Sequence, residues 1–151
     1  MQKFSAVIFA FAVSAVFAAP VLADGALAIG VPNGNLNKGF VYGMSWDADS
    51  AVLAQTKAMS LCKGIDLTNN KVPDRASEAQ AACEVVKTFS NQCVAVTMNG
   101  DQHTVATGMG YGVAPDLDAA KQQAMLTCNG MRGGKGRNCV VAGQGCDGNA
   151  R

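Results

Sequence analysis

The chain has 151 residues and nearly balanced charge, 12 Lys and Arg against 11 Asp and Glu. Lys3 lies in the N-terminal leader, and without it the charges cancel, so the chain lacks the basic excess that nucleic-acid binding or adhesion to an anionic membrane requires. The length suits one domain, and a sequence rich in Gly and Ala builds a modest core that needs help from cross-links.

Met1-Gln2-Lys3 is a short basic start, and Phe4 to Ala19 is an unbroken run of apolar and small residues. Pro20-Val21-Leu22-Ala23 then puts small or aliphatic residues at the last and third-last places before a cut after Ala23. That is the pattern of a secretory signal peptide over residues 1–23. A membrane anchor is the competing reading, but the run is about 16 residues, short of the roughly 20 a bilayer needs. No cysteine stands at the cleavage site, which argues against a lipoprotein, and no later segment is apolar enough to span a membrane. Residues 24–151 are therefore expected as one secreted or periplasmic domain with no transmembrane segment after cleavage.

Strand character begins at 26–31 and resumes at 40–46, across a Gly- and Asn-rich turn at 33–39. Ser50 is a good N-cap and Gly64 a good stop for a helix between them, with Ala54, Ala58, Leu61 and Cys62 on one stripe. The stretch 63–82 is polar, holds Asn69-Asn70 and Pro73-Asp74, and starts a short helix at Arg75. Strands follow at 84–89 and 93–98, a turn at 99–101, and a strand at 103–109. Gly108-Met-Gly-Tyr-Gly112 does not fit a nucleotide loop and reads as a Gly-flanked strand with close backbone packing. Asp116 caps a second helix that stops at Gly130, with Ala120, Ala124, Thr127 and Cys128 on its stripe, before a last strand at 139–143.

Two segments resemble each other. Cys62 aligns with Cys128, Ala54 with Ala120, Ala58-Met59 with Ala124-Met125 and Gly64 with Gly130. Upstream, with one residue slipped, Gly43-Met44-Ser45-Trp46 matches Gly108-Met109-Gly110-Tyr111, and Ala26 to Ile29 resembles Cys93 to Val96. The prediction is an internal duplication, about 25–92 and 93–147. The fold class is α+β: two strand–strand–helix–strand repeats sharing an antiparallel sheet, stapled by disulfides. Trp46 and Tyr111 occupy matching places and are expected in the core.

An even count of six cysteines in an oxidising compartment predicts three disulfides among Cys62, Cys83, Cys93, Cys128, Cys139 and Cys146. Within each repeat a cysteine at the helix end can reach one at the start of the next strand, which gives Cys62–Cys83 and Cys128–Cys139. Cys93–Cys146 remains and would tie the ends of the two units together. No Cys-x2-Cys pair occurs and His103 is the only histidine, so neither a metal site nor a redox pair is indicated, and no cofactor motif is present.

Catalytic readings are thin. Asp47 and Asp49 after Trp46, and Asp116 and Asp118 at the second helix, could form a carboxylate pair, but capping and the helix dipole explain acids at helix starts better. A small secreted hydrolase using Asp47 or Asp116 with His103 is the alternative function, and thiol chemistry through an unpaired cysteine a third. Arg132, Lys135 and Arg137 lie in a Gly-rich loop held between Cys128 and Cys139 and are the candidate partner-binding residues.

Tyr42-Gly-Met-Ser-Trp46, the Ala-rich helix to Cys62, Phe89-Ser-Asn-Gln-Cys93, Gly108-Met-Gly-Tyr-Gly112 and the second Ala-rich helix to Cys128 carry a family resemblance. Over most of residues 25–147 the chain resembles the bacterial secreted family called domain of unknown function 4189. It departs from that pattern in the longer segment 63–82. The resemblance implies a compact exported domain and no activity, and it brings no catalytic residues. The expected function is thus a non-enzymatic binding or inhibitor-like module, secreted or in the envelope, whose partner is a protein or envelope component.

Overall fold

The computed structural model describes residues 24–65, 77–100, 108–130 and 138–151. The predicted leader, the expected helix start at Arg75 and most of the expected strand 103–109 lie outside the described residues. Strand β1 (Asp24–Gly30) passes through two short 3-10 turns, Pro32–Gly34 and Leu36–Lys38, into β2 (Val41–Ala48). Helix α1 (Ala51–Cys62), a single turn α2 (Glu78–Ala81) and β3 (Cys83–Phe89) follow. Strands β4 (Cys93–Asn99) and β5 (Met109–Ala114), helix α3 (Leu117–Gly130) and β6 (Cys139–Cys146) complete the second unit in the same order.

Local signals set these elements. The Ser50 hydroxyl accepts the Leu53 amide at 3.3 Å, and the Asp116 carboxylate accepts the Ala119 amide at 2.8 Å, so both expected caps are made. Past α1, Gly64 takes φ +70°, and the amides of Gly64 and Ile65 bond back to Leu61 and Ser60, which closes the helix end as glycine permits. Ser77 and Gln80 exchange bonds in a capping box that starts α2.

The α+β class and the strand–strand–helix–strand order hold, with one correction. The strands do not share one sheet: they form two antiparallel three-stranded sheets, ordered β2-β1-β3 and β5-β4-β6. Burial explains the division. In β1, Ala26 and Ala28 pack under α1 while Leu27 and Ile29 face the other sheet. In β4, Cys93 and Ala95 pack under α3 while Val94 and Val96 face back. Each central strand is buried on both faces, so the layers run helix, sheet, sheet, helix. The large side chains fill the space between sheets, and the small ones let the helices lie close.

That closeness needs glycine. A β-carbon at Gly43 would stand 2.1 Å from the Ala58 carbonyl oxygen, and one at Gly110 would stand 2.1 Å from that of Ala124. Gly43 and Gly110 are therefore the equivalent places, not Gly43 and Gly108 as the sequence match suggests. Met44 then corresponds to Tyr111, and Trp46 to Val113. The aromatic pair expected in the core is half out of it: Trp46 is 40% exposed and Tyr111 37%. On the helix stripes Ala54, Ala58, Cys62 and Ala120, Ala124, Cys128 are buried as predicted, whereas Leu61 and Thr127 turn outward.

All six cysteines are paired, as Cys62–Cys83, Cys128–Cys139 and Cys93–Cys146, so the unpaired-thiol reading falls. The third bond does not tie the two units together. Cys93 and Cys146 are register partners on β4 and β6, inside the second sheet. In the first sheet the corresponding place is held by a hydrogen bond from the Ser90 hydroxyl to the Asp24 carboxylate. Three disulfides mark a protein that folds outside the reducing cytoplasm. Among the described residues no helix is long and apolar enough to cross a membrane.

Candidate functional site

The structure gives three of the four sequence-predicted acids, Asp47, Asp116 and Asp118, bonds within the fold. Asp47 sits just before the end of β2 with φ +51°, and its carboxylate accepts the Gly148 amide at 2.9 Å. Asp116 caps α3, and Asp118 pairs with Lys121 at 3.6 Å on the helix surface. His103 and the basic side chains Arg132, Lys135 and Arg137 lie outside the described residues. Among the described residues, the Asp47 and Asp116 carboxylates take separate backbone amides, those of Gly148 and Ala119.

The carboxylate with the strongest grip is one that sequence reasoning passed over. Asp147 is fully buried. Its two oxygens accept the amides of Asp47 at 2.8 Å and Asn91 at 3.0 Å, and its own amide donates to the Gln92 carbonyl at 2.9 Å. Both donor residues hold φ near +50°, which turns their N–H groups inward. A buried carboxylate with two amide donors is well compensated. This cluster joins β2, the β3–β4 connection and the C-terminal turn, and its oxygens are occupied by protein.

Where the sheets face each other, their two sides differ. On one side β2 lies on β6. The Tyr42 hydroxyl donates to the Ala142 carbonyl at 2.8 Å, Met44 and Tyr42 cover Gly143, and the Trp46 ring covers Gly145. Burial there pushes the Tyr42 phenol above its ordinary pKa. In two like units set face to face, the counterpart of this seam is β5 on β3.

That second seam is open. Between β3 and β5 lies a cleft of about 380 Å³, with Ile29, Val86, Met109 and Tyr111 on its walls and Val31 and Leu36 of the turn segment beside them. The exposed Glu84 and Thr127 also line it, and Thr127 already donates to the Gln123 carbonyl at 2.9 Å. Counting from Cys83 and Cys139, which open the two last strands, Lys87 and Phe89 of β3 stand where Gly143 and Gly145 stand in β6. Two side chains replace two glycines, and Val113 replaces Trp46, so the ring-over-glycine contacts that close β2 on β6 are not repeated here. The sequence signal was this large-for-small exchange between repeats, legible only once the register of the units is known. A concave, mostly apolar cleft of this size with a few polar groups is the ordinary form of a small-ligand site.

A family model described as a domain of unknown function (DUF4189) matches residues 25–146. No curated protein and no solved structure matches the chain.

Proposed function

The chain belongs to the DUF4189 family, and from that premise we propose that it is an exported, non-enzymatic binding module, secreted or periplasmic, whose ligand site is the cleft between β3 and β5. One observation carries the reading. Of two corresponding seams between the sheets, one is sealed by Tyr42, Met44 and Trp46, and the other is held open over apolar walls. An open apolar cleft in a frame tied by three disulfides is pre-organised, so little ordering cost opposes an incoming group. The basic residues Arg132, Lys135 and Arg137 are a second proposed contact, supported by the Cys128–Cys139 bond that holds both ends of their loop.

The test is a titration of isotope-labelled protein with toluene, followed by amide chemical shifts. Saturable shifts at Ile29, Val86 and Met109, lost in a Val86→Trp variant that fills the space, are the expected result. Shifts that fail to saturate, or that persist unchanged in the filled variant, would place binding elsewhere and end the proposal.

A further inference from the structure

The sealed seam shows what the open one is built to accept. β6 carries a bulge at Ala142, since Val96 pairs with Gly143 and Thr97 with Val141. β3 carries one at Val86, since Leu27 pairs with Lys87 and Ala28 with Val85. Ala142 is the third residue after Cys139, and Val86 is the third after Cys83, so the bulges correspond. The carbonyl of Ala142 accepts the phenol of Tyr42, the residue before Gly43. In the other unit the residue before Gly110 is Met109, which lines the cleft and has no hydrogen-bond donor in its side chain. The open seam thus keeps the bulge and loses the phenol that fills its counterpart. Glu84, two residues before Val86, adds a carboxylate to the lining, and an ionised carboxylate only accepts.

We propose that the β3–β5 cleft binds a small phenol, with its ring between Met109 and Val86 and its hydroxyl donating to the Val86 carbonyl or the Glu84 carboxylate. This rests on the cleft being a ligand site at all, and adds the chemical class of the ligand. Apolar burial supplies the attraction, and the donor supplies the selection, because only a ring with a donor adds a hydrogen bond to these acceptors.

The experiment compares para-cresol with para-methylanisole, the same ring with its donor capped, by amide shifts on the full disulfide-bonded protein. The expected result is binding of para-cresol about ten-fold tighter, the scale of one hydrogen bond. Met109→Tyr installs the missing phenol within the chain. It is expected to abolish para-cresol binding and raise the thermal midpoint. If that variant does not fold, the comparison of the two ligands on the wild type still decides. Equal affinities would overturn the phenol inference and leave the apolar site standing. No saturable binding of either ligand, or of toluene, would overturn both. Binding of N-acetyltyrosine amide in preference to para-cresol would replace the small phenol by a protein side chain and overturn the inference in its stated form.

Discussion

Replacing Asp147 by Ala removes the acceptor for two backbone amides, those of Asp47 and Asn91, at a place with no solvent exposure. Each charge-assisted bond contributes about 1.5–3 kcal/mol, and the stranded N–H groups keep their desolvation penalty. The two bonds together make a loss of about 3–6 kcal/mol. A domain of this size has on the order of 5–15 kcal/mol in all, so Asp147→Ala removes a large part of it. Asp147→Asn keeps one acceptor but turns an amide N–H toward the second donor, and is expected to lose about half as much. Urea unfolding with the disulfides intact measures both. Asp118→Ala, on an exposed pair, is the control and should stay within about 0.5 kcal/mol of wild type. An Asp147→Ala protein within about 1 kcal/mol of wild type would show that water replaces the carboxylate at no great cost, and would refute the reasoning.

The three disulfides close loops of different length, with sequence separations of 53, 21 and 11. By loop entropy, double Cys→Ala variants should lose about 4 kcal/mol for Cys93–Cys146 and about 3 kcal/mol for each of the others, and a reversed order in urea unfolding would contradict it. Gly43→Ala and Gly110→Ala each force a β-carbon against helix backbone and should cost about 1–3 kcal/mol of stability or more, as overpacking does, and so lower the thermal midpoint; an unchanged midpoint for either would deny the close helix–sheet contact. The Tyr42 phenol is raised from its ordinary value of 10.0 by burial, so the unfolded chain releases its proton first as pH rises. Stability from this group is therefore full below about pH 10 and falls above it. Tyr42→Phe should lower stability by about 1 kcal/mol at neutral pH and flatten that alkaline slope. Unfolding curves across this range that superimpose in slope would remove burial as the cause.

Much of the architecture was legible because it is written twice. The caps at Ser50 and Asp116, the Ala stripes and the cysteines at both helix ends gave element order and two of the three disulfide roles. The number of sheets was not legible. Ala26 to Ile29 is buried on both faces, which an alternating small–large strand shows, but the pattern does not say whether the second face meets a helix or another sheet. The register of the repeat misled, because Gly-Met recurs at 43 and 108 while close packing against the helix selects Gly43 and Gly110. Asp147 carried no local sign at all. Its partners stand 100 and 56 residues away in the chain, and a lone acid near a C-terminus looks like any solvated one. The cleft was hidden for a related reason: it is a difference between two seams, and neither seam exists until the sheets are stacked.

The layering also sets how this chain can be divided. The N-terminal unit holds its own helix, its own sheet and the Cys62–Cys83 bond, all complete by Phe89. Yet Leu27, Ile29 and Phe89 share one buried cluster with Val94, Val96 and Met109 of the second unit. A severed half would therefore be secondary structure with a bare apolar face, and a second copy of itself offers the nearest matching surface. Cutting the chain between Phe89 and Cys93 turns one fold into the raw material of a homodimer, and makes the half-molecule's state depend on its concentration.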